Sequence, residues 1–216
     1  MKTILSKHYK KVIILILMIV GVGVSVFVVK QKRKDTLQTE TLKPILLEKD
    51  LDITFGQSDA QLSILLYFDY NCHYCKKFFT ESFAQLNEEF IQPGRVKLIL
   101  RLLASPRNLQ IENALKSIVC VNNLGNSEYL HDLFLYNYSV IFTSDFQQII
   151  DEFIEKDIYF AECFLGNEVL DYLQGNSKDF KTLKLKGTPT FIIGNKVYAG
   201  YRDYETFKQI ITNHLF

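Results

Sequence analysis

A chain of 216 residues with 48% hydrophobic content can bury one good core but hardly two. Its net charge of +1, from 25 basic and 24 acidic side chains, argues against a nucleic-acid partner, which normally goes with a strongly basic face. Four cysteines are too few for a disulfide scaffold, and no internal repeat or low-complexity tract is present.

Val12 to Val29 is an unbroken apolar run without a charged residue. A helix of about 18 residues just spans a bilayer, so the run predicts one N-terminal transmembrane helix and contact with the lipid bilayer. Lys2, Lys7, Lys10 and Lys11 precede it, and Lys30, Lys32, Arg33 and Lys34 follow it. With basic residues at both ends, the positive-inside rule does not fix the orientation. A cleaved signal peptide is the competing reading, but bulky Val and Phe fill the exit where small residues would mark a cleavage site. An uncleaved anchor is preferred. From about Lys30 to Lys49 the sequence is polar, carries Pro44 and reads as a tether. The expected organisation is a cytoplasmic stub and signal-anchor over 1–29, a tether over 30–50 and a globular domain over 51–216.

Gln61 to Phe68 is a short apolar run of the kind that forms a strand covered on both faces. From Cys75 to Phe90 the period changes: Phe79, Phe83, Leu86 and Phe90 recur at helical spacing. Pro93-Gly94 ends that helix, and Arg95 to Leu103 reads as a second strand. A strand–helix–strand unit of this kind implies a parallel pair. Asn108 to about Asp179 reads as helical, with breaks at Asn122 to Asn126, Tyr138 to Ser144 and Gly166-Asn167. Thr190 to Ile193 and Lys196 to Ala199 flank Gly194-Asn195 as a hairpin, and Tyr204 to Leu215 closes the chain as an amphipathic helix. The predicted order is β-α-β, a helical block, then β-β-α.

Cys72-His73-Tyr74-Cys75 falls at the junction of the first strand and the first helix. A thiolate at a helix N-terminus faces unpaired N–H groups and the positive end of the macrodipole, which lowers a cysteine pKa from about 8.5. The two-residue spacer puts the second sulfur one turn away. Cys72 at the tip is therefore the expected attacking sulfur and Cys75 the resolving one. The other use of such a pair is half of a zinc site, but Cys120 and Cys163 stand 43 residues apart and supply no second ligand pair. No metal or other cofactor is expected. His131 and His214 fall on helical patterns and are expected at the surface.

A cationic His73 would favour the Cys72 thiolate; its other reading is a solvent-facing residue of the first turn. Tyr74 either shields the sulfurs and contacts substrate or is a half-buried packing group. Asp69, at the strand end, either relays a proton or helps to end the strand, and the second is preferred.

The stretch Phe68-Asp69-Tyr70-Asn71-Cys72-His73-Tyr74-Cys75-Lys76, followed far downstream by Gly187-Thr188-Pro189-Thr190-Phe191, resembles the DsbA-like family of thiol-disulfide oxidoreductases over roughly Leu51 to the C-terminus. With the element order, the resemblance implies an α/β, thioredoxin-like fold with an inserted helical subdomain at about 108–179. It implies that Pro189 is a cis-proline lying against the redox pair, and that Thr188 offers backbone hydrogen bonds to an extended substrate. It also implies that Cys120 and Cys163, on two helices of the insert, form a structural disulfide. Free buried cysteines are the competing reading. The family's common spacer begins with Pro, whereas here His comes first and Tyr second.

The function implied is disulfide formation in unfolded or exported proteins, with a quinone-linked membrane protein reoxidising the pair. The domain would face the periplasm or cell exterior from the cytoplasmic membrane, because cytosolic thiols are held reduced. A reductase or isomerase runs the same chemistry in reverse. A non-catalytic copper carrier is the reading from another class, since soft thiolates suit Cu(I). Such a carrier tends to have a Met or His beside its thiols, but Met1 and Met18 lie outside the globular domain and His73 is the one candidate third ligand.

Overall fold

The computed structural model describes residues 17–33, 47–103, 108–125 and 127–216. The chain divides into two compact units, Met1–Ile45 and Leu46–Phe216. In the first, residues 17–33 are helical. Among the described residues no helix is long and apolar enough to cross a membrane. The apolar run that suggests an anchor begins at Val12, outside the described residues, as are Lys2, Lys7, Lys10, Lys11, Lys34, Pro44 and Asn126.

The second unit is organised by a five-stranded sheet. Its strands are β1 (Ile53–Phe55), β2 (Leu62–Phe68), β3 (Val96–Leu102), β4 (Thr190–Ile193) and β5 (Lys196–Ala199), in the order β1-β3-β2-β4-β5. β2 is central: Leu66 lies opposite Leu100 of the parallel β3 on one side and Phe191 of the antiparallel β4 on the other. Both faces of β2 are covered, which is why its sequence runs apolar instead of alternating. Leu66 and Phe68 enter an aromatic core with Phe78, Phe79 and Phe207, while Tyr67, pointing the other way, packs on Phe180 with ring centroids 5.3 Å apart. Gly194 turns the β4–β5 hairpin at φ 56°, a left-handed conformation that glycine adopts without strain.

Two features of this sheet were not expected. β1 has three residues and pairs antiparallel with β3, with Ile53 opposite Leu100; it is too short for an alternation to show in sequence. Beneath it, Arg101 on β3 is fully buried and ion-paired with the equally buried Asp52, Nη2 to Oδ2 3.1 Å.

The first helix, α1, is one helical stretch built of His73–Lys77, Phe78–Phe83, Ala84–Leu86 and Asn87–Ile91, the second and fourth parts being wound as π-helix. Hydrogen bonds from i to i+5 widen the turn, so the buried face runs through Cys75, Phe78, Phe79, Ser82, Leu86, Phe90 and Ile91. Of the expected stripe, Phe79, Leu86 and Phe90 are buried, and Phe83 is half-buried against the same core, its ring 4.8 Å from that of Phe79.

The helical block comprises α2 (Leu109–Asn123), α3 (Glu128–Tyr136), a 3-10 turn (Tyr138–Phe142), α4 (Ser144–Lys156), α5 (Ile158–Leu165) and α6 (Glu168–Thr182). Side-chain caps from Asn108, Thr143 and Asp157 begin α2, α4 and α5. The break at Asp157 was not read from the sequence. Its carboxylate accepts from Tyr159 N at 2.9 Å and Phe160 N at 3.0 Å, which ends one helix and starts the next without glycine or proline. A disulfide joins Cys120 of α2 to Cys163 of α5, with Cα atoms 5.7 Å apart. α7 (Tyr204–Leu215) closes the fold, and its Phe207 packs on Phe78 and Phe191.

Candidate active site

β2 ends in a turn that delivers Cys72 to the start of α1. Asp69 shapes it: its backbone carbonyl accepts from Cys72 N at 3.0 Å, and its Oδ1 accepts from Asn71 N at 2.8 Å. The side chain therefore ends the strand, as preferred from sequence. Burial also pushes its carboxyl pKa up, opposed by the Asn71 N–H and by Lys76.

Cys72 occupies the N-cap of α1, where Ser, Thr, Asp or Asn would ordinarily accept from the first turn. Its backbone carbonyl accepts from Cys75 N and Lys76 N, both at 3.1 Å. Its sulfur is half-buried and donates to the Thr188 carbonyl at 3.1 Å. The Thr188–Pro189 peptide bond is cis. Pro189 is held in turn by a hydrogen bond from Gly200 N to its carbonyl, 2.8 Å. The loop before β4 thus meets the head of α1 at Cys72.

Cys75, one turn on, is 0% exposed. Burial pushes its thiol pKa far up, and the nearby Cys72 adds to this; hydrogen bonding from the Asp69 backbone and Thr188 opposes it. The two free cysteines differ in kind: one is accessible at a helix start, the other is sealed beneath it and protonated. His73 and Tyr74 both face solvent, Tyr74 at 56% exposure, with their rings in edge-on contact 5.4 Å apart. Tyr74 is therefore not a packing group. Cys120 and Cys163 lie in the helical block and take no part in this cluster. Among the described residues no group of His, Cys, Asp and Glu is arranged to hold a metal ion.

Two histidines correct the sequence reading. His214 is half-buried, with Nε2 3.1 Å from the Tyr198 hydroxyl. His131 on α3 is buried, and its Nδ1 lies 2.7 Å from the hydroxyl of the buried Tyr70, two residues before Cys72. A helical pattern does not reveal this, because Tyr70 is 61 residues away in sequence. Burial lowers the His131 pKa from 6.5 to about 4. The folded chain therefore holds His131 neutral where the unfolded chain protonates it, and the unfolded state binds more protons between these values. Stability from this group is complete above about pH 6.5 and is lost as pH falls towards 4, by about 3 kcal/mol in total. Urea titrations at pH 7 and pH 4.5 should show His131→Leu losing less stability on acidification than the parent chain; equal losses would show that His131 does not carry this dependence.

A model of the thioredoxin family matches residues 48–213, well over half of the chain. No curated protein matches the chain. Among solved structures it is similar to a linker-deletion mutant of Proteus mirabilis ScsC, at 23% identity and a TM-score of 0.66, over 87% of this chain and 86% of that one. The catalytic domain of the same protein aligns at 23% identity and a TM-score of 0.64, covering 82% of this chain and 98% of that one. The thiol-disulfide exchange protein alpha-DsbA2 of Wolbachia pipientis aligns at 19% identity and a TM-score of 0.63, over 84% of this chain and 97% of that one. At these identities the likeness is one of fold.

Proposed function

We propose, since this chain belongs to the thioredoxin family, that it is a membrane-anchored thiol-disulfide oxidoreductase that forms disulfide bonds in exported proteins through Cys72 and Cys75. One observation carries the reading: an accessible sulfur at a helix start, 3.1 Å from the carbonyl before a cis-proline, with a second thiol sealed one turn below it.

The exchange runs in two steps. A client thiolate attacks Sγ of Cys72 in the Cys72–Cys75 disulfide; that S–S bond breaks, and Cys75 leaves with the electron pair and takes up a proton. A second client thiolate then attacks the client sulfur of the mixed disulfide and releases Cys72. The client dithiol loses two electrons and the cysteine pair gains them. Thr188 and Pro189 form the ledge on which an extended client segment lies. His73 and Tyr74, exposed beside the pair, tune it and meet the client. The dithiol is reoxidised by a quinone-linked membrane protein.

The apolar run from Val12 to Val29 supplies the anchor, with the catalytic unit on the periplasmic or outer side of the cytoplasmic membrane. A reporter active only outside the cytoplasm, fused after Phe216, should be active; an inactive one, with a cytoplasmic reporter active at the same place, reverses the topology. Equilibrated with glutathione, the full-length chain should give a potential above thioredoxin's value of about −270 mV and below the roughly −120 mV of the strongest oxidant of this kind. A value at or below thioredoxin's makes the chain a reductase.

A further inference from the structure

His131 presents an anomaly that the exchange chemistry does not use. It is 6% exposed, and its Nε2 has no hydrogen-bond partner. Its ring lies among those of Phe55, Phe68 and Phe79, at centroid distances of 5.6, 6.3 and 4.6 Å. An N–H is tolerated against aromatic faces, whereas a lone pair there is repelled. On that ground we assign the ring proton to Nε2, so that Tyr70 donates its hydroxyl hydrogen to Nδ1. A buried polar group held in this way needs a reason.

The reason lies in what Tyr70 belongs to. Its ring is gripped by α3, with Phe134 at 5.4 Å and His131 at 5.5 Å between centroids, and it packs edge-on against Phe68 at 4.8 Å. It is 1% exposed. From it the chain has one intervening residue before Cys72, whose sulfur must meet the Thr188 carbonyl from across the fold. A hydrophobic ring alone could slide or rotate in such a socket; the hydroxyl bond to Nδ1 fixes it. The residue that receives the bond comes from α3 of the helical block and not from β2 or α1, the strand and helix on either side of the turn that holds Tyr70 and Cys72.

We propose that His131 is a positioning residue for the redox pair: by accepting the Tyr70 hydroxyl hydrogen it ties the helical block to the turn before Cys72 and sets where that sulfur stands relative to Thr188 and Cys75. This rests on the thiol-disulfide reading above. The block is thus part of the redox site's frame as well as a flank beside it.

The test uses the purified full-length chain and its equilibrium with glutathione. Tyr70→Phe keeps the ring and removes the bond. It should shift the equilibrium constant of the Cys72–Cys75 pair by about three- to tenfold, the range that one hydrogen bond represents. His131→Leu should shift it in the same direction, and the double variant should shift it no further than either single one. His131→Asn, whose amide oxygen can stand near the place of Nδ1, should restore most of the parent value. Tyr172→Phe removes another buried hydroxyl bond, to Asp52 at 2.8 Å on a different helix; it should lower the melting temperature and leave the constant unchanged. A folded Tyr70→Phe chain with the parent constant overturns the proposal, as do single shifts that add fully in the double variant. A parent chain whose cysteine pair does not exchange with glutathione at all overturns the thiol-disulfide reading instead.

Discussion

Cys75→Ser should convert the protein into a trap: mixed disulfides with client chains accumulate through Cys72 and turnover falls to background. Cys72→Ser should be equally inactive and form no such adducts. The asymmetry follows from burial. Cys72 is half-exposed at the start of α1, whereas Cys75 is 0% exposed and its thiol is held protonated by burial. A reagent or client sulfur can reach the first but must displace the helix to reach the second. The thiolate is the attacking species, so at limiting iodoacetamide the reduced chain should be alkylated first at Cys72, as read by mass spectrometry. In Cys75→Ser the Cys72 thiolate enters a mixed disulfide by attacking a client S–S bond, one client sulfur leaving as the thiolate. No sulfur stands one turn away to resolve the adduct, which persists until another thiol attacks it. Labelling of Cys75 ahead of Cys72, or adducts that survive in Cys72→Ser, would reverse the two roles.

The largest effect on stability should come from Asp52→Ala. Arg101 and Asp52 have fully buried side chains, and the guanidinium donates from Nε to Oδ1 at 3.1 Å as well as from Nη2 to Oδ2. Burial works against the charge on Arg101, but the Asp52 carboxylate more than offsets it and the group stays ionised. Asp52 also accepts from the Tyr172 hydroxyl at 2.8 Å and from Lys49 N at 2.9 Å, so one carboxylate joins the segment before β1, strand β3 and helix α6. Its removal leaves a buried cation uncompensated, which costs about 3–5 kcal/mol. At roughly 2–4 °C per kcal/mol for a chain of this size, the melting temperature should fall by about 6–20 °C. Asp52→Asn keeps an acceptor for Tyr172 and Lys49 and should lose less. A loss below about 1 kcal/mol in Asp52→Ala would mean that water reaches Arg101 in the folded protein.

How far the sequence carries depends on whether the relevant forces are local. β2, β3, the β4–β5 hairpin and α7 are written in runs, periods and turn residues that each segment holds by itself, and they are found within a residue or so of their expected bounds. The cysteine motif is legible for the same reason, since its neighbours Asp69 to Lys76 form the turn that presents it. What could not be read is what depends on partners distant in the chain. Asp52 and Arg101 look like two surface charges until the fold brings them together across 49 residues. His131 looks like a polar residue on an amphipathic helix until Tyr70 meets it. The π-helical winding of α1, which begins at the buried Phe78 and Phe79, has no signal in the spacing of its apolar residues.

The two outer strands bear on the proposed function, in which the clients are unfolded chains. Such chains arrive with unpaired backbone N–H and C=O groups, and a long, flat strand at the margin of a sheet is the surface on which they would zip up. Here the margins are β1, with three residues, and β5, with four that are mostly solvent-exposed and begin at Lys196. Neither offers more than a few backbone groups in a row, and one carries a charge at its end. Under the proposed function, a client segment finds only these short rows of backbone groups at the flanks of the sheet.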